Sequence, residues 1–320
     1  MDRINKCLNA LKQSDLPWIK YHLEVEANGA SERATEYKKM MLADERIASM
    51  LLACKAWPKL PLKRHNDANH MIHKIGLLLD LGLDNTDEGM RKIAQNILAH
   101  QSDDGAFLTL LNVSKNFGGS GEDEMQWIVC DFPILLYTLL KLGYEDNDSV
   151  IKAVFRLKAI AADNGWRCVG SVEKFRGPGK KADHCPYGTL VSLQAFSQLS
   201  KYHNEDFIKA GIDAIFDHWI NAKLRKIYLF GIGTDFKKLK YPNVWFDIGH
   251  VLRVLSQFDY AKKSPAYHQM LSIVLDKQQA DGGFVPESIY MAYRGWDFGQ
   301  KKESSDMLTY QIYRILVDSR

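Results

Sequence analysis

The chain has no run of about eighteen apolar residues, the length a helix needs to cross a membrane, so no membrane span is expected. Its start, MDRINKCLNALKQSD, lacks the apolar core of a secretory leader. Cysteine is scarce and unpatterned. Cys7, Cys54, Cys130, Cys168 and Cys185 are odd in number and spaced unlike a disulfide scaffold. Reduced thiols and a cytoplasmic location are the expectation. Surplus charge is also missing. A net charge of +3 over 320 residues argues against a nucleic-acid binder, leaving room only for local basic patches.

What is present is apolar mass. Hydrophobic residues make up 46% of the chain and charged residues 25%, enough for a large core. Residues 1–33 read as an N-terminal helical segment broken at Leu16-Pro17 and Asn28-Gly29, and 34–320 as a single domain. Within that domain a repeat of about sixty residues organises the chain. Each copy opens with an apolar helix that has a polar start: 66–81, 130–142, 183–199, 245–258 and 305–316. A short turn and an amphipathic helix follow. A glycine-aromatic ending closes three copies, at 101–107, 163–166 and 277–284. Gly105 and Gly165 are 60 residues apart, and Asp183 and Asp247 are 64 apart, so two separate markers keep similar periods.

Paired helices that repeat must bury their apolar sides on their neighbours. The first helix of each pair is apolar all round and the second on one side only. The expected fold is therefore all-α, with an inner and an outer ring of helices and all inner helices running the same way. The Gln-x3-Gly-x-aromatic endings, seen at Gln101–Phe107 and loosely at Gln278–Phe284, resemble those of the α/α-toroid superfamily of squalene and terpenoid cyclases and protein prenyltransferase β subunits. The resemblance spans roughly residues 40–318 and implies an α/α toroid of about five to six helical hairpins. It also implies a prenyl diphosphate-like ligand, anionic and partly apolar, in a central cavity. The Asp-x-Asp-Asp acid of class II cyclases is absent, which argues against protonation-initiated cyclisation.

The stretch Asp183–Leu199 concentrates the chemistry. Asp183, His184 and Cys185 precede Pro186 and a run that is apolar on nearly every side. That pattern is a buried helix with reactive groups at its positive end. Asp131 and Asp247 occupy the same place in other copies. All five are candidate catalytic residues, with helix capping as the plain alternative for the aspartates. Prenyltransferases bind zinc through an Asp-x-Cys pair and a later His. The resemblance so implies zinc at Asp183, Cys185 and His250, although His250 lies one turn past the aligned position, Ile248.

Long connections at 108–124, 167–182, 222–244 and 285–304 all return to the starts of apolar helices, and the last three are rich in Lys and Arg. With the inner-helix dipoles they favour an anionic small molecule or an acidic partner. His70, Arg176, Lys180, Lys181, Trp245, Arg294 and Tyr310 are the candidate ligand-binding residues. The alternative function is a non-catalytic binding toroid that clasps an acidic partner with its basic rim.

Overall fold

The computed structural model describes residues 2–224, 227 and 230–320, so the basic loop residues Arg225 and Lys226 lie outside the described residues. Fifteen α-helices are found among the described residues. They begin with α1 (Asp2–Leu11), α2 (Pro17–Asn28), α3 (Glu32–Ala43), α4 (Glu45–Cys54), α5 (Met71–Asp80) and α6 (Glu88–Leu98). Next come α7 (Phe132–Lys141), α8 (Asp148–Ala159), α9 (Pro186–Phe196), α10 (Asp206–Ile220) and α11 (Thr234–Lys237). Last are α12 (Ile248–Leu255), α13 (Asp259–Lys262), α14 (Pro265–Leu275) and α15 (Asp306–Asp318). The chain is all-α, of the helical-hairpin class from which α/α toroids are built. The described strands are two short antiparallel pairs, Thr109–Leu111 with Glu124–Gln126 and Ala161–Ala162 with Gly165–Trp166.

The helices fall into two compact units. One holds Met1–Leu52, Leu77–Leu83 and Gly233–Arg320, and the other Ala53–Gly76 and Asp84–Ile232. The second contains the most deeply buried helix. Every residue of α9 except Gln194 is buried, whereas α8 buries only Val150, Ala153, Val154 and Leu157. Helix α7 packs on both α8 and α9, and α9 packs on α10. This is the expected contrast between all-round and one-sided helices. Leu190, Val191, Leu193 and Phe196 each contribute about 1.5–3 kcal/mol by leaving water, which is why α9 holds a fixed position. Proline in the first turn sets the starts of α7, α9 and α14.

The glycine-aromatic endings join one hairpin to the next. Gln101 Nε2 donates to Gly105 O at 2.9 Å and to Ser149 O, on the second residue of α8, at 2.7 Å. In the other unit Gln278 Nε2 donates to Gly282 O at 3.0 Å and to Arg3 O, on the second residue of α1, at 3.3 Å. A Cβ on either glycine would strike the fifth residue of the clasped helix, Lys152 or Lys6. Helix α1 packs on α15 as α8 packs on α7. The N-terminal segment thus supplies the outer partner of the last apolar helix. The aromatics are wholly buried, and Trp166 and Phe284 each donate a backbone N–H at 3.0 Å to the threonine of the following helix, Thr189 or Thr309.

The glycines do not end the outer helices. Ala99, Ile160 and Asp276 stand at those ends with negative φ, and Gly105, Gly165 and Gly282 follow in tight turns at φ +96°, +94° and +89°. A turn this tight, pressed on a neighbouring helix, needs both positive φ and no side chain.

Gly282→Ala would set its methyl 2.4 Å from the Lys6 carbonyl oxygen, whereas Gly105→Ala meets the flexible Lys152 chain at 2.9 Å first. We expect Gly282→Ala to cost about 2–3 kcal/mol and Gly105→Ala about 1–2 kcal/mol. Thermal unfolding of both variants checks this, and two variants as stable as the parent would mean that the clasps carry no load.

Candidate functional site

Helix α9 begins in a tight frame. Cys185 N–H donates to Trp166 O at 2.7 Å, and the bridge from Arg167 to His184 fixes the strand that enters the helix. Pro186 fixes the first turn. Cys185 is then the N-cap, and its sulfur accepts the Gly188 N–H at 3.3 Å. A sulfur in this position satisfies one of the free N–H groups of the helix start and lies in the positive end of its dipole.

Two more thiols meet it. Cys130 Sγ lies 3.9 Å from Cys185 Sγ, and Cys168 lines the same cavity as Cys185 and acts on its thiol. Hydrogen bonds from Cys130 and Cys168 hold the Cys185 thiol well below the usual range; burial opposes them, and Gly188 N–H and His65 add to them. The same contacts, with burial, push Cys130 and Cys168 up. One sulfur of the three is thus favoured as thiolate, and the other two remain thiols that donate to it.

Beside the thiols stands a histidine–carboxylate pair. His65 Nδ1 lies 2.7 Å from Asp131 Oδ1, and His65 O accepts from His73 Nε2 at 2.7 Å. Burial works against charge on His65, but Asp131 overcomes it and raises the imidazole above its ordinary value, with Cys185 adding to the effect. With Nδ1 committed to Asp131, Nε2 is the nitrogen available for proton transfer. Asp131, a candidate catalytic residue with helix capping as the plain alternative, makes no side-chain cap bond to α7. Its carboxylate, only 1% exposed, serves His65 instead.

Cys185 and Cys168 line a cavity of about 620 Å³. Its walls come mainly from the 167–182 connection. Arg167, Arg176, Lys180 and Lys181 face Glu173 and Asp183, and Phe175, Ile227 and Phe230 supply apolar surface. Arg176 is anchored, its backbone N–H and its Nε donating to Phe117 O and Asn116 O in the preceding long connection. Gly177 lies so close to Cys168 that a Cβ there would meet its sulfur at 2.0 Å.

Of the other candidates, Asp183 and His184 line the same cavity as Cys185, and the rest lie apart from it. Asp183 accepts the Lys180 N–H at 2.9 Å and stabilises the loop. His184 sets its ring edge against His218 at 6.0 Å. His70 uses one ring nitrogen on Leu60 O and the other on Ile72 N–H. Asp247, His250, Trp245, Arg294 and Tyr310 belong to the other unit. There Tyr310 donates to Glu26 at 2.9 Å and stacks on His22, while Arg294 is exposed. Among the described residues, no group of three or more His, Cys, Asp or Glu side chains is gathered to hold a metal ion. Zinc at Asp183, Cys185 and His250 stands as an implication of the resemblance and enters no step here. Sequence reasoning missed His65, Cys168 and Arg167. All three lie in irregular segments, where neither period nor helix start marks a residue. Only the weight of basic residues on 167–182 pointed to that loop.

In the first unit Asp247 caps α12 by accepting the His250 N–H at 3.0 Å, as expected for a first-turn aspartate. Burial raises its carboxyl from 3.8 to about 6 and lowers neighbouring His250 from 6.5 to about 4. Folding therefore takes up a proton at Asp247 between about pH 4 and 6, so stability falls there as pH rises. Folding releases a proton at His250 between about pH 6.5 and 4, so stability falls there as pH drops. The two slopes nearly cancel. Asp247→Asn keeps the cap oxygen and removes one slope. Its stability relative to the parent should rise by about 3 kcal/mol from pH 4 to pH 7, read as the difference in melting temperature across that range.

The sequence matches no family model and no curated protein. Solved structures similar to the chain include the type II terpene cyclase MstE from Scytonema in complex with geranylgeranyl dihydroxybenzoate, at 11% identity over 99% of this chain and 96% of that one, with a TM-score of 0.47. The same cyclase without ligand is similar at 13% identity over the same shares, with a TM-score of 0.44. A possible member of the GH105 family from Salmonella enterica serovar Paratyphi A is similar at 11% identity over 95% and 81% of the two chains, with a TM-score of 0.46. No helix among the described residues is long and apolar enough to cross a membrane.

Proposed function

We propose that the second unit is a thiol-dependent acyl-transfer enzyme for an anionic, partly apolar substrate. The observation that carries this reading is the Cys185 sulfur at the start of a buried helix, lining a basic cavity and within electrostatic reach of the His65–Asp131 pair. The Cys185 thiolate adds to the carbonyl carbon of the substrate, forming a carbon–sulfur bond. The carbonyl reforms as the leaving group departs with a proton from the His65 imidazolium. A thioester is left on Cys185. Water or a second nucleophile then attacks it, gives its proton to His65 Nε2 and frees the thiolate. Asp131 is the positioning residue, holding the His65 tautomer. Arg176, Lys180 and Lys181 take the anionic end, and Phe175, Ile227 and Phe230 the apolar part.

A second reading shares this cavity. A prenyl diphosphate, the ligand class that the toroid resemblance implies, combines an anionic head with an apolar chain, and the four cationic side chains of the wall favour it. It would bind without acylating Cys185.

Mono-p-nitrophenyl adipate and the uncharged p-nitrophenyl hexanoate separate the possibilities. The parent should carry an acyl group on Cys185 alone by peptide mass spectrometry, and should prefer the carboxylated ester. Cys185→Ser should lose the adduct. His65→Gln should slow acylation about 100-fold and shift its pH profile. Joint Lys180→Ala and Lys181→Ala changes should raise KM for the adipate ester with little effect on the hexanoate ester. Acylation spread over all five cysteines would sink the proposal. A thermal shift with farnesyl diphosphate and no acylation would favour the second reading.

A further inference from the structure

The acyl-transfer reading uses one thiol, yet the site holds three. A nucleophile needs its base and its orienting carboxylate; it has no use for two further sulfurs against its own. Cys130 is buried at the start of α7, Cys185 is buried at the start of α9, and these two helices pack on each other. Their sulfurs are 3.9 Å apart, against the roughly 2.05 Å of a disulfide, so the two must move together by about 2 Å to bond. Cys168 is different. It is only partly buried, sits on the cavity wall and reaches Cys185 from the loop side. The three sulfurs run from the buried start of α7, through Cys185, to a thiol at the cavity.

We propose that this thiol cluster gives the cavity a second activity, the two-electron reduction of a hydroperoxide, with Cys185 as the attacking thiol and Cys130 as the one that resolves it. The Cys185 thiolate attacks the outer oxygen of a hydroperoxide ROOH. A sulfur–oxygen bond forms, the oxygen–oxygen bond breaks, and the alkoxide leaves and takes a proton to become ROH. Cys185 is now a sulfenic acid, oxidised by two electrons. The Cys130 sulfur attacks Cys185, the sulfur–oxygen bond breaks, and water departs with the Cys130 proton. The Cys130–Cys185 disulfide remains. Cys168, the sulfur nearest solvent, attacks Cys185 and frees Cys130 as a thiol. An external thiol then attacks the Cys168 sulfur and frees Cys185. A second external thiol releases Cys168 and leaves joined to the first as their disulfide, the two together supplying two electrons and two protons. While the disulfide stands, the nucleophile of the acyl-transfer reading is blocked.

The oxidation has its own readout and does not depend on any ester being a substrate. Reduced protein at pH 6.5 is mixed with one equivalent of hydrogen peroxide and mapped by non-reducing peptide mass spectrometry. The expected product is a Cys130–Cys185 disulfide, reversed by dithiothreitol. Free cysteine is about 1% thiolate at this pH, so a Cys185 held below the usual thiol range carries more thiolate and should react about tenfold faster than free cysteine. In a variant with Cys130→Ser and Cys168→Ser, the sulfenic acid at Cys185 should persist and be captured by dimedone. A parent protein oxidised no faster than free cysteine overturns the proposal, whether or not the variant folds. A disulfide joining only Cys168 and Cys185 overturns the role of Cys130. Ester acylation without peroxide reactivity leaves the acyl-transfer reading standing and removes this one; the converse result does the reverse.

Discussion

A helix start has backbone N–H groups with no partner in the helix, and a helix buried on every side cannot give them to water. Helix α9 is in that position, and the site of the second unit follows from how its start is closed. Pro186 removes one donor, the Cys185 sulfur accepts another, and the Cys185 N–H goes to Trp166. The sulfur that answers this demand is placed by it, in the positive end of the helix, at the wall of a cavity. Structure and chemistry share one atom here. The cost of burying a sulfur that could carry charge is offset by the two thiols and the N–H that point at it.

The same accounting explains why similar helix starts serve different ends. Asp247 and Ser305 cap α12 and α15 from their own side chains, and Asp297 takes a further N–H of α15 from Met307. Asp131 stands at the start of α7 but makes no cap bond. Its carboxylate is free for His65, and that choice turns a stabilising group into a positioning one. In the first unit, the buried Asp247–His250 pair is tuned against itself, each group offsetting the pH slope of the other. That behaviour belongs to a structural pair. The shifts around Cys185 instead separate one ionised thiol from two protonated ones.

The joints between hairpins make the site possible. At 101–107 and 278–284 a glutamine clasp, a glycine without a side chain and a buried aromatic join one hairpin to the outer helix of the next. Because α1 receives the same clasp from Gln278 that α8 receives from Gln101, the first residues of the chain have a structural role in the unit that ends it. The rigidity of these joints lets long, irregular connections sit on fixed helix starts. The 167–182 connection, bound to the 108–124 connection through Arg176, is where the cavity forms.

The amino-acid sequence alone determined the helices and their burial. All-round apolar runs, first-turn prolines and a sixty-residue period are local properties, and the water-avoiding arrangement of such helices has few solutions. It also marked Cys185, since Asp183, His184 and Cys185 stand together before a first-turn proline and a run that is apolar on nearly every side. Only the tertiary structure could bring His65, Cys130, Cys168 and Cys185 together, because they stand on four separate segments and two of them lie in connections without any period. Only it could take Asp131 from cap to partner of His65, and give His70 to the backbone and Tyr310 to Glu26. The reason is physical. A periodic pattern records which side of a helix avoids water. Which loop atom meets which helix start depends on close packing, and no short stretch of sequence carries that information.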